Sequence, residues 1–178
     1  MWSIMPRVLT MPSAGWELAM TAGPRPEIAV IRFLLPVCLL AAGSEFFAYF
    51  YNVGLNFTAV LVQSVLIFTS FFLGYFIALV FSRLFLPKDA KDFPGSQFGK
   101  LLIMGGIGSL AFFEVLINLL PMIDFILEFL PLWTVFIIYK GMQMTVVSPE
   151  KQTWAIGAVC IVVICSPIVV EWFLSLFV

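Results

Sequence analysis

The chain has 178 residues, of which 62% are hydrophobic and 11% charged, against about 45–50% and 25% in ordinary soluble domains. Its mean hydropathy is +1.11, and a soluble fold of this size has too much surface, and here too little charge, to be covered by water-facing groups. A net charge of -1 excludes a basic nucleic-acid binder, and the lack of histidine removes the commonest general base and metal ligand. The sequence reads as an integral membrane protein.

Residues 1–26 form a cytoplasmic or interfacial lead-in, and 27–178 the transmembrane domain. Pro6, Pro12, Glu17 and Pro24 interrupt any apolar core of the signal-peptide kind. A short interfacial helix over Ser13–Thr21 would hold Trp16 at the headgroup level. A span needs about 20 apolar residues to cross roughly 30 Å of hydrocarbon. Five stretches qualify: Glu27–Tyr51, Phe57–Phe85, Leu101–Leu120, Ile123–Met142 and Thr153–Val178. They are too long for barrel strands and lack period-two alternation. Pro121 leaves almost nothing between the third and fourth, which makes them a hairpin. Pro36, Pro131 and Pro167 fall inside spans, where each removes a helix hydrogen bond. The expected fold is therefore all-α, a five-helix transmembrane bundle.

Orientation follows from the basic residues. All 9 Lys and Arg lie before or just inside the first span (Arg7, Arg25 and Arg32) or beside the second and fourth loops, and none in the first loop, the third loop or the C-terminus. The N-terminus is then cytoplasmic and the C-terminus outside, in a multi-pass protein of the cell (inner) membrane.

Acidic residues inside spans carry the most information, because a carboxylate in hydrocarbon costs several kcal/mol unless it is paired, hydrated or protonated. They are Glu45, Glu114, Asp124, Glu128 and Glu171. At 1.5 Å per residue, Glu45, Glu114, Glu128 and Glu171 each lie roughly 8–10 Å from the outer end of their spans. Asp124 lies one turn above Glu128, and Asn118 one turn beyond Glu114. Acids from four spans thus share one level, with the basic residues on the opposite side. Three readings stay open: the acids converge on a hard cation or shared protons, they line a water-filled cavity, or they sit singly protonated or at the headgroup level. Glu114 and Glu128 stand seven residues before and after Pro121, so antiparallel neighbours would bring them face to face. Two carboxyls that close do not both stay ionised without a counter-ion.

Small residues mark where helices approach. Gly74, Ala78 and Ser82 repeat along one face of the second span, and Gly105 and Ser109 along the third. Such spacing serves packing within the bundle or a homodimer seam. Gln63, Ser64, Thr69 and Ser70 read as helix–helix hydrogen-bond partners, and Cys38, Cys160 and Cys165 as small buried apolar residues. Nucleophile–base pairs, phosphate loops and metalloprotease motifs are missing from the sequence, so no enzyme is expected.

Three stretches together resemble the Ypt-interacting-protein (Yip) family of five-span membrane proteins, in particular its short bacterial members. They are Pro12-Ser13-Ala14-Gly15-Trp16-Glu17 before the first span, Phe93 to Lys100 before the third, and Asn118-Leu119-Leu120-Pro121 followed by Leu130-Pro131-Leu132-Trp133 and Tyr139-Lys140-Gly141. Where relatives carry a Tyr…Pro pair early in the third span, this chain reads Met104-Gly105-Gly106-Ile107-Gly108-Ser109. The family's Rab-linked role rests on a long cytoplasmic segment, and about 26 residues stand there in this chain. The resemblance implies a non-enzymatic membrane organiser or complex subunit acting through helix packing. The alternative is a small cation or proton transporter or channel using the outer-leaflet carboxylates. Its partners would be the lipid bilayer and a membrane protein or second copy of the chain, with no nucleic acid. It would need no cofactor beyond a hard cation at the carboxylates.

Overall fold

A computed structural model describes residues 4–22, 25–51, 56–86, 95–120, 129–145 and 149–177, and every regular element among them is helical. The order is α1 (Ile4–Thr10), α2 (Pro12–Ala22), α3 (Pro26–Ala29), a π-helical turn (Val30–Leu34), α4 (Leu35–Tyr51), α5 (Phe57–Phe85), α6 (Gln97–Leu119), α7 (Leu130–Met142) and α8 (Pro149–Ser175). Four stretches are long and apolar enough to cross a membrane: Pro26–Phe47, Phe57–Phe85, Gln97–Leu119 and Lys151–Ser175. The fourth expected span is described only as the shorter apolar helix Leu130–Met142. Its expected start near Ile123 and the turn at Pro121 lie outside the described residues.

Local chemistry sets the boundaries. Asn56 caps α5 by accepting from the Thr58 N–H at 3.2 Å, and Ser96 caps α6 by accepting from the Gly99 N–H at 2.9 Å. The Ser96 cap starts the third span at Gln97, ahead of the expected Leu101. Pro131 is expected inside the fourth span, and the residues ahead of Phe129 lie outside the described residues. Pro131 occupies the first turn of α7, where an amide N–H has no intrahelical partner anyway. Pro36 is accommodated differently. Its ring would press on the carbonyl four residues back, and the turn before it is π-helical, with the Leu35 N–H donating to the Val30 carbonyl.

The outside of the bundle is apolar, and small and hydroxylated residues lie inside beside a core of Leu, Ile, Met and Trp side chains. Leu40, Val80, Phe81, Ile161 and Trp172 are exposed, while Ser64, Ser70, Ser82, Ser109 and Thr134 are buried. The apolar exterior suits a lipid environment, where apolar surface needs no hiding and close backbone approach drives association. Cys165 departs from the expected burial and is exposed, whereas Cys38 and Cys160 are buried.

α6 forms the centre, buried without interruption from Leu101 to Ser109. Its glycines admit neighbours from three directions. A Cβ at Gly106 would meet Val163 and Ile138, and one at Gly108 would meet Phe33. A Cβ at Gly105 would meet Trp16, which the lead-in buries against the bundle. Trp16 is 0% exposed, wedged between α6 and α7, and its Nε1–H donates to the Ile137 carbonyl at 2.9 Å. Gly141 opens the other wall, since a Cβ there would lie 3.0 Å from Trp16 Nε1. In return Trp133 of α7 donates its Nε1–H to the Leu9 carbonyl at 2.8 Å. The lead-in is thus a helical hairpin, closed where Gly15 passes over the Val8 backbone, and fastened to the bundle by two indole–carbonyl bonds.

Candidate functional site: a carboxylate-lined cavity

α4, α5, α6 and α8, with Pro131 of α7, line a half-open cavity of about 480 Å³. It holds Glu45 from α4, Gln63 and Ser70 from α5, Glu114 and Asn118 from α6, and Glu171 from α8. Helix geometry explains the assembly. Glu114 and Asn118 are four apart and share a face of α6. Gln63 and Ser70 are seven apart on α5, again one face. Apolar walls complete it, with Phe71, Phe113 and Ile67 among them, and Pro131 and Pro167 contribute as well.

The α5–α8 wall is fixed just beside the cavity. Gly74 lies so close to Pro167 that an added Cβ would sit 3.1 Å from the proline nitrogen. One turn further along α5, Ala78 is 0% exposed, and Ser82 is 1% exposed. In α6, Ser109 donates to or accepts from the Thr134 hydroxyl at 2.8 Å and bonds the Gly106 carbonyl at 2.7 Å. Gly74, Ala78, Ser82, Gly105 and Ser109 are therefore all taken up inside the chain's own bundle.

Two of the three acids are held by amides. The Gln63 Nε2–H donates to Glu171 Oε1 at 3.2 Å. The Asn118 Nδ2–H donates to Glu45 Oε1 and to the Ser44 hydroxyl at 3.0 Å, and Ser44 in turn donates to the Ala41 carbonyl at 2.6 Å. Among the described residues Glu114 makes no hydrogen bond or ion pair. Its carboxyl lies within electrostatic reach of both Glu45 and Glu171, and those two also feel each other. Among the described residues, none of those lining the cavity is basic.

Convergence is thus partial. The structure brings Glu45, Glu114, Asn118 and Glu171 to one cavity. Asp124 and Glu128 lie outside the described residues, and with them the expected Glu114–Glu128 pairing. Among the described residues no three acidic, cysteine or histidine side chains come close enough together to hold a metal ion.

Sequence reasoning passed over two members of the site. Gln63 is the helix–helix partner that the sequence predicts, bonding Glu171 of α8, but its place in the site goes unread: it stands seven residues beyond the Asn56 cap, about 10 Å along the helix axis. That is the depth assigned to the acids, and applying the same count to amides would have found it. Ser70 gave no such signal. No family model, no curated protein and no solved structure matches the chain.

Proposed function

We propose that this is a non-enzymatic, multi-pass protein of the cell membrane that binds cations or protons at the carboxylate cavity and carries them across. One observation supports this above the rest: carboxyl groups from three separate helices share one cavity with two side-chain amides and, among the described residues, no basic one. Ionisable groups at membrane depth are expensive to keep and mark ion and proton pathways. The N-terminus is cytoplasmic and the C-terminus outside, so the cavity opens toward the outer leaflet. The rival reading, a Yip-like organiser acting through helix packing, would use the small-residue faces, and these are occupied within the chain.

The test is flux. Purified protein in liposomes is loaded with a pH-sensitive or cation-sensitive dye and given a gradient. Wild type should dissipate the gradient faster than empty liposomes, and Glu114→Gln should fall at least tenfold toward the empty rate. Equal rates for wild type, Glu114→Gln and empty liposomes would remove the transport reading.

A further inference from the structure

Arg32 stands where a membrane span rarely carries a charge. It lies six residues inside the stretch Pro26–Phe47, about 9 Å along the axis, and it is exposed on the outer surface of the bundle. Ionisable residues within spans almost always face the bundle interior or a wet cavity, as Glu45, Glu114 and Glu171 do. A guanidinium does not lose its proton in proteins, so a charge at this depth has to be met from outside the bundle. Among the described residues Arg32 makes no hydrogen bond or ion pair.

Arg25 joins it on the same side of the span. The turn Val30–Leu34 is π-helical, and a π turn closes its hydrogen bonds over five residues in place of four. It winds the chain more slowly than an α-helix, so Arg32 stacks above Ile28, four residues back, which is itself exposed. Arg25 lies one turn before Ile28, and it too is exposed and makes no ion pair among the described residues. Glu27, the acid of this stretch, lies within electrostatic reach of Tyr75 on α5 and pairs with neither arginine among the described residues. Beyond Arg32 the helix surface is apolar and open. Leu39 and Leu40 are exposed, and a Cβ at Gly43 would meet nothing within 4 Å. Arg32 and Gly43 are eleven residues apart, about 16 Å along the axis. One leaflet holds roughly 15 Å of hydrocarbon, half of the bilayer core.

We propose that Arg25 and Arg32 bind the headgroup of an anionic phospholipid in the leaflet where the first span begins, with its acyl chain along Leu39, Leu40 and Gly43. Two fixed positive charges at the head of an apolar strip one leaflet deep complement such a lipid in charge and in length. The planar fork of arginine meets phosphate oxygens through two parallel charge-assisted hydrogen bonds. Arg32 reaches the phosphate level by laying its apolar stem along the helix. Free phosphate would leave the apolar strip unused, and a zwitterionic lipid brings a cation that opposes the arginines. The inference is independent of the carboxylate cavity and of transport through it.

The experiment is titration of the full chain in detergent with phosphatidylglycerol, and separately with phosphatidylcholine of the same acyl chains, with the Kd of the first bound lipid read by native mass spectrometry. Phosphatidylglycerol should bind roughly tenfold tighter or better, and Arg25→Gln and Arg32→Gln should each weaken it about fivefold, the worth of one basic residue at an anionic membrane surface. The double variant should treat the two lipids alike. Arg32→Lys, which keeps the charge and loses the fork, should fall between wild type and Arg32→Gln. Arg83→Gln, in the last turn of α5, removes the same charge elsewhere and should leave the preference unchanged, as should Glu114→Gln. Thermal unfolding checks that each variant is folded. Equal Kd values for the two lipids in wild type overturn the proposal, and so does a preference that survives the double substitution. A loss with Arg83→Gln as large as with Arg32→Gln overturns it too, because the attraction is then to overall charge. Displacement of the lipid by inorganic phosphate at matched ionic strength reassigns the arginines to a free anion and overturns the lipid.

Discussion

Gly105 ends where Trp16 begins: a Cβ on the glycine would lie 2.6 Å from Cη2 of the indole. The ring fills a slot cut by two glycines on different helices, Gly105 on α6 and Gly141 on α7. Trp16→Ala should therefore lower stability by about 3–5 kcal/mol, the range for emptying an aromatic core site. Trp16→Phe keeps most of the volume and loses the bond to the Ile137 carbonyl, which is worth about 1 kcal/mol. Gly105→Ala should cost about 1–3 kcal/mol by overpacking. In a Trp16→Ala background the same Gly105→Ala change should become neutral, because the obstructing ring is gone. Gly157→Ala serves as control, since a Cβ at Gly157 meets nothing within 4 Å. Unfolding in mild detergent, followed by Trp fluorescence or circular dichroism, reads all of these. Additive effects at 16 and 105 would show that the ring does not occupy the slot.

What the sequence revealed and what it hid divide along one physical line. Periodicity and length carry the helices, so Phe57–Phe85 appears in the sequence with the boundaries that the structure gives it. Axial depth is likewise countable at 1.5 Å per residue, which is why Glu45, Glu114 and Glu171 were assigned one level and do line one cavity. Rotation about each helix axis is not countable. Trp16 reads as an interfacial anchor from its place before the first span, and only the glycines on two distant helices turn it into a buried wedge. Ser70 is one of several hydroxyls on α5, and its cavity-facing position depends on how α5 packs against α8.

Gly74 and Pro167 set the distance between α5 and α8. Gly74→Leu should push these helices apart, since the obstructing atoms include proline backbone, which cannot rotate away. A loss of about 1–3 kcal/mol follows from the overpacking, with cavity function lost alongside. Gly43→Leu, at a position where a Cβ meets nothing within 4 Å, should fold and function like wild type. Size-exclusion profile and thermal unfolding of the two variants compare them directly. A folded, active Gly74→Leu would contradict the close crossing.

Ser109 and Thr134 tie α6 to α7 through a buried hydroxyl pair at 2.8 Å. Interhelical side-chain hydrogen bonds in membranes average about 0.6 kcal/mol, with a ceiling near 1.7. A double-mutant cycle of Ser109→Ala and Thr134→Val should return a coupling in that range. Zero coupling would mean that each hydroxyl is satisfied by its own helix, as Ser109 partly is through the Gly106 carbonyl.

The charge asymmetry makes a separate claim about topology. If the chain crosses five times as the sequence predicts, all 9 basic residues fall on one side, and the positive-inside rule then puts the C-terminus outside. A reporter fused after Val178 that is active only beyond the cytoplasmic membrane should be active, and one active only in the cytoplasm should be silent. The reverse pattern would invert the bundle and turn the cavity toward the cytoplasm.

The amides of Asn118 and Gln63 give the sharpest test of whether the cavity is wet. Asn118 donates to Glu45 and to Ser44, and Gln63 donates to Glu171. In a dry cavity, truncating either amide strands a carboxylate, and leaving a buried charged group unsatisfied costs more than the roughly 1–3 kcal/mol of a neutral one. In a water-filled cavity, solvent takes the vacated place, because a polar site with room for it hydrates readily. The volume of about 480 Å³ and the three acids argue for water, so Asn118→Ala and Gln63→Ala should each lose about 1 kcal/mol or less. Asn118→Leu is the discriminating variant: its branched apolar side chain fills the space that water would enter and leaves Glu45 without a donor. It should destabilise by clearly more than Asn118→Ala, although it removes the same amide. Thermal unfolding of the variants in one detergent gives the comparison. Equal and large losses for Ala and Leu would mean that the cavity is dry and the amide is a structural pin, in which case transport through this site fails with it.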